Sequence, residues 1–229
     1  LSRMGCGASV AAPEDGGSKP PMPPRSRPHS WNASGRSDSI HPAHNCADDG
    51  ASGDTHGMLC RLREHSGTGS GEEEEALSEI SSATLLRPDC AAAMVSQGGV
   101  VDIVACLVSA CGASGVQANH NACTLAAAAL ANIVAAGGCT EALNAGAVEP
   151  LSKAIFVGAW PPAQAEAARC FQNLAATEDA CSSIHDMAGA LAALLGSRSM
   201  EVQLCAAGAL ANIALFRPHS VFSCGAVGP

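Results

Sequence analysis

The string "ALANI" occupies residues 129–133 and returns unchanged at residues 209–213. Between the two copies, "RCFQNLAAT" at residues 169–177 places Asn173 41 residues after Asn132 and 39 before Asn212. A spacing near 40 residues is one at which helical repeat arrays are built, one unit per period.

Glycine followed by an apolar helical pattern recurs alongside the asparagines. It opens "GVVDIVACLVS" at Gly99, "GAVEPLSKAIFVG" at Gly146, "GALAALLGS" at Gly189 and "GAVGP" at Gly225. In "EVQLCAAGALANIAL", Val202, Cys205, Ala206, Ala209, Leu210 and Ile213 form an apolar stripe at helical spacing. Each unit therefore reads as a short helix, a glycine turn, a second helix, a loop and a longer third helix that carries the asparagine. A degenerate earlier copy is "ALSEI" at residues 76–80, with Glu79 in the place of the asparagine. "RP" follows both that copy (Arg87, Pro88) and the last one (Arg217, Pro218).

Composition agrees with an all-α core. The chain of 229 residues is 47% hydrophobic, yet it has two Trp, four Phe and no Tyr. Much of the apolar content is alanine, which favours helix and lets helices approach closely. A formal charge of −9 argues against a nucleic-acid partner, which would require a basic face. The twelve cysteines include no CxxC pair. Cys106, Cys123, Cys170 and Cys205 fall in apolar helical patterns and read as small, reduced core residues of a cytosolic protein. The alanine-rich stretch around Asn132 is too weakly apolar for a membrane span.

Residues 1–71 have the Pro, Gly and Ser content of a disordered tail, so the array is expected over residues 72–229. The acidic run at residues 72–75 reads as the solvated start of its first helix. The sequence stops at Pro229, where a second helix is due, and this predicts a truncated array with an uncapped apolar edge.

In "AGAVEPL", "CGAVGP", "EVQLCAAGALANIA" and "AEAARCFQNLAAT" the chain resembles the armadillo-repeat family. HEAT repeats have a similar period but lack the recurring asparagine. The resemblance implies an all-α right-handed superhelix whose concave groove holds an extended segment of a protein partner. It also implies that Asn132, Asn173 and Asn212 line that groove and meet the partner's main chain. The residues themselves leave a second reading open, a ladder of amides stitching adjacent repeats. Asparagine is a poor helix-interior residue, so either role would explain its return at one register.

Importin-α proteins carry a Trp four residues before the asparagine. Here that position holds Ala128, Arg169 and Gly208, so classical import-cargo recognition is not expected. Arg169 would instead present a cation to the groove and suit an acidic or phosphorylated segment.

At the other end, "MGCGAS" at residues 4–9 fits the myristoylation pattern, with Gly5 as acceptor if Met4 initiates translation. Cys6 is placed for a palmitoyl group, and two acyl chains make a stable anchor. Such an end joined to an armadillo array resembles membrane-tethered armadillo adaptors, the fungal vacuolar kind among them. Localisation is then cytoplasmic, on the cytosolic face of a membrane. The alternative is a soluble armadillo module of a larger importin-like, catenin-like or ubiquitin-ligase-associated protein.

His41, His44, Cys46, His56 and Cys60 are zinc-ligand types, but their spacing fits no finger, and no metal site is assigned. No nucleophile–base or phosphate-loop pattern stands out. The reading is a non-enzymatic scaffold with no cofactor.

Overall fold

The computed structural model describes residues 51–112, 118–156 and 160–225, and for residues 51–53 the backbone alone. Helices α1 (Ala51–His65) and α2 (Gly71–Leu86) lead into three units, each of two shorter helices and a long one. The first unit is α3 (Pro88–Ser96), α4 (Gly99–Ala110) and α5 (His120–Ala135). The second is α6 (Cys139–Asn144), α7 (Val148–Phe156) and α8 (Pro161–Leu174). The third is α9 (Glu178–Ile184), α10 (Ala188–Leu194) and α11 (Met200–Phe216), and α12 (Pro218–Ser223) follows. The long helices stack side by side in the order α2, α5, α8, α11.

Local chemistry sets these boundaries. The Asn119 side chain caps α5 by accepting from the backbone of Asn121 and Ala122, each at 3.1 Å. Ser70 caps α2 and Ser199 caps α11 in the same way, while α8 starts on Pro161. The "AGAV" signature closes α6. There Gly146 takes φ +75°, its N–H reaches Leu143 O at 3.0 Å, and Ala147 N–H reaches Ala142 O at 3.0 Å. That is a Schellman turn, which needs a residue free to enter the left-handed region. The third unit turns differently. A 3-10 segment at His185–Met187 joins α9 to α10, and Gly189 lies inside α10 rather than at a turn.

The core is built on alanine. Helix α5 is enclosed by α2, α4 and α8, and its buried positions include Ala126, Ala127, Ala129 and Ala131. Small side chains on the long helices allow their close approach. The thiols complete this packing. Cys106, Cys123 and Cys170 are buried and Cys205 is half-buried. Burial pushes the Cys170 thiol up to about 12, and the Cys106 and Cys205 thiols to about 11. Among the described residues no single helix is long and apolar enough to cross a membrane.

Two sequence expectations change. The tail assigned to residues 1–71 is helical over Ala51–His65, because Met58, Leu59 and Leu62 give that stretch one buried face against α2, α3 and α4. Leu59 lies so close to Gly99 that a Cβ there would come within 2.7 Å of its Cδ2. Residues 1–50, with Gly5, Cys6, His41, His44 and Cys46, fall outside the described residues.

The acidic run is not simply solvated. Glu73 is only 2% exposed, and its carboxylate accepts from Gly67 N–H at 3.1 Å and Gly69 N–H at 2.7 Å. Glu74 accepts from Asn119 Nδ2 at 2.9 Å and from Asn121 Nδ2 at 3.4 Å, which fastens α2 to the start of α5.

Candidate functional site

The three recurrent asparagines lie where consecutive long helices touch. Asn132 in α5 donates from Nδ2 to Ser81 O in α2 at 3.0 Å, with Thr84 Oγ1 at 3.4 Å. Asn173 in α8 donates to Ala131 O in α5 at 2.9 Å. Asn212 in α11 donates to Gln172 O in α8 at 2.9 Å. In the last two the acceptor is the carbonyl one residue before the preceding asparagine. A helix carbonyl has a second lone pair beyond its intrahelical bond, so each bond ties two repeats without orphaning a backbone group.

Applied to the first rung, this register makes Ser82, not Glu79, the counterpart of the asparagine in α2. Glu79 instead hydrogen-bonds Arg61 of α1. Aligning the chain on "RP" gives Ser82, whereas aligning it on "ALSEI" gives Glu79, one turn away.

Asn132, Asn173 and Asn212 are 6%, 6% and 3% exposed. Each Nδ2 commits an N–H to the ladder, which fixes the orientation of the carboxamide. Their Oδ1 atoms differ. Asn132 Oδ1 accepts from Arg169 Nη1 at 2.9 Å. Among the described residues no group donates to Oδ1 of Asn173 or Asn212.

Arg169 is not a free cation. Its Nε donates to Glu166 Oε2 at 2.7 Å, Nη2 lies 3.4 Å from Ala128 O, and the Arg169 and Glu166 side chains are 16% and 19% exposed. The charge expected to face an acidic ligand is met by a neighbour on the same helix, and the guanidinium is spent on the ladder.

At the third of the positions before an asparagine, Gly208 makes room for Gln172. A Cβ on Gly208 would lie 2.7 Å from the carboxamide of Gln172, which is 5% exposed. No periodicity marks Gln172. The small residue opposite it was the available signal.

Beside Asn173 the surface opens into a furrow of about 700 Å³ bounded by the end of α5, by α6 and by the start of α9. Val134, Leu143 and Ala180 supply apolar walls, and Thr177, Asp179 and Asn173 supply polar groups. Of the zinc-ligand types, His56 and Cys60 share one face of α1 with Sγ 3.6 Å from Nε2. No group of three metal ligands forms among the described residues.

No family model matches the sequence, and no curated protein does. Solved structures do. An engineered protein, target OR329 of the Northeast Structural Genomics Consortium, has a TM-score of 0.65 at 27% identity, over 76% of this chain and 68% of its own. A designed armadillo repeat protein, solved in complex with the peptide (KR)4, has a TM-score of 0.62 at 23% identity, over 74% and 70%. Another designed armadillo repeat protein has a TM-score of 0.62 at 24% identity over the same shares. With its glycine turns, stacked third helices and amide ladder, this chain folds as an all-α solenoid of the armadillo-repeat type.

Proposed function

We propose that the chain is a non-catalytic scaffold that holds an extended segment of a protein partner along the face of its long helices. The observation that carries this reading is the pair of unfilled Oδ1 acceptors on Asn173 and Asn212, at one register of neighbouring helices. Packed helices lie about 10 Å apart, and an extended chain advances about 3.3 Å per residue. One main-chain N–H in about three residues then meets an asparagine.

Each such bond contributes about 1 kcal/mol, so side-chain sites must supply the remaining affinity. The furrow beside Asn173 is of the size that takes one. An acidic ligand is not part of this reading, because the cation that suggested it is paired with Glu166.

The test separates the two halves of the carboxamide. The full chain is screened against linear peptide libraries, and binders are measured well below the melting temperature. Replacing Asn173 and Asn212 by Ala removes the acceptors and should weaken binding by about 2 kcal/mol, roughly thirtyfold. Replacing both by Asp keeps an acceptor oxygen and should retain binding in a less stable protein. An alanine pair that stays folded and binds as the wild type does would sink the groove assignment.

Gly5 and Cys6 extend the proposal to a scaffold held on the cytosolic face of a membrane by two acyl chains. Metabolic labelling with a myristate analogue should depend on Gly5. Absence of that dependence would favour a soluble module of a larger protein.

A further inference from the structure

Two thiols meet inside the first unit, away from the ladder. Cys111 is the residue at which α4 ends, and Cys123 lies in the first turns of α5. Their Sγ atoms are 3.6 Å apart, and Cys111 Sγ is also 3.6 Å from the Pro150 carbonyl of α7. Among the described residues no other pair of thiols is in hydrogen-bond contact.

We propose that Cys111 and Cys123 form a modification site, a dithiol that a peroxide oxidises to an intrachain disulfide. The two sulfurs have unequal chemistry. The hydrogen bond with Cys123 lowers the Cys111 pKa against the effect of burial, with help from the charge of Lys153. The same bond and its burial hold Cys123 as a thiol. Cys111 is 9% exposed and Cys123 fully buried, so Cys111 is the sulfur a peroxide reaches first and Cys123 the resolving group.

In the first step Cys111 gives up its proton, and its thiolate attacks one peroxide oxygen. An S–O bond forms, the O–O bond breaks, and the leaving hydroxide takes up a proton as water. Cys111 is then a sulfenic acid, oxidised by two electrons. In the second step the Cys123 sulfur attacks the Cys111 sulfur. The S–S bond forms, the S–O bond breaks, and hydroxide leaves with the Cys123 proton as a second water. Two thiols and one peroxide give one disulfide and two waters.

The sulfurs must close from 3.6 Å to about 2.05 Å. Cys111 is placed for that movement. It lies beyond the last helical residue of α4, and Gly112 follows it at φ +82°. The bond would tie the end of α4 to the start of α5 within one unit, and it spares every rung of the ladder.

The reduced full-length chain is treated with a few-fold excess of hydrogen peroxide. Remaining thiols are alkylated under denaturing conditions, and peptides are mapped without reduction. A Cys111–Cys123 linkage should be the first product, with loss of two hydrogens. It should raise the melting temperature by roughly 5 °C, and a reductant should reverse it. In Cys123→Ala, dimedone should trap Cys111 as the sulfenic acid, with no rise in melting temperature. The wild-type map decides the matter without any variant. The proposal is overturned if Cys111 and Cys123 remain alkylatable after other cysteines have oxidised, or if each is oxidised separately with no linkage.

Discussion

Replacing Asn173 by Asp should cost far more stability than replacing it by Ala, and the difference should shrink on acidification. The Nδ2–H of Asn173 points at Ala131 O, 2.9 Å away, in a site only 6% exposed. In Asn173→Ala one net hydrogen bond is lost, about 1 kcal/mol, while alanine regains about 0.5 kcal/mol of helix propensity. The Ala131 carbonyl keeps its intrahelical partner, so no buried group is orphaned and the net loss stays under about 1 kcal/mol. In Asn173→Asp a carboxylate oxygen faces that carbonyl, and a buried charge goes without a donor. The cost rises to about 3 kcal/mol.

Burial and the facing carbonyl raise the folded-state pKa of this carboxyl above its unfolded value of about 3.9. The neutral acid can donate to Ala131 O, so its stabilisation is full below the unfolded pKa and lost as pH rises through the folded pKa. Urea titrations at pH 7 and pH 5 measure both terms. Equal losses for the two variants at pH 7, or an Asp variant whose deficit is unchanged at pH 5, would refute the ladder geometry.

Glu73→Ala should cost about 2 kcal/mol in the same assay, because it strips the acceptors from two backbone N–H groups, those of Gly67 and Gly69. Gly208→Ala should fail to deliver the about 1 kcal/mol that alanine usually gains over glycine in a helix, since its methyl displaces the buried Gln172 carboxamide. A clear rise in thermal stability would refute that packing. Cys170, with its thiol pushed up to about 12, should resist iodoacetamide at pH 8 in the folded chain and react at the rate of unfolding. On α11, Met200, Leu204 and Leu215 are 67%, 56% and 52% exposed and share a stripe with exposed Ala207 and Ala211. Sedimentation velocity should detect concentration-dependent self-association that Leu204→Glu weakens.

Much of this was legible in the primary structure, for physical reasons. Schellman turns need glycine, so "AGAV" marked a helix boundary. Repeats that stack must return the same residue to the same contact, so Asn132, Asn173 and Asn212 marked the long helices. What stayed hidden was three-dimensional. Helix α1 was masked by the glycine, serine and aspartate around Met58, Leu59 and Leu62. Glu73 and Glu74 looked like any acidic helix start, because nothing local tells a solvated carboxylate from one that binds a loop. Ser82 lost to Glu79 because a five-residue likeness outweighed the "RP" that fixes the helix end.

The asparagines also show why sequence alone could not choose between ladder and groove. One carboxamide has two ends, and the fold spends them separately. The donor holds the preceding helix in all three repeats, which explains why the residue recurs whatever the partner. The acceptor is left over, and its fate depends on the neighbour one repeat further on. At Asn132 that neighbour is Arg169, whose guanidinium fills Oδ1 and is itself held by Glu166. At Asn173 the corresponding residue is Gly208, which has no side chain to send. The residue four before each asparagine therefore decides whether the preceding acceptor is closed or open. In this chain Arg169 closes the acceptor on α5, whereas Gly208 leaves the one on α8 open.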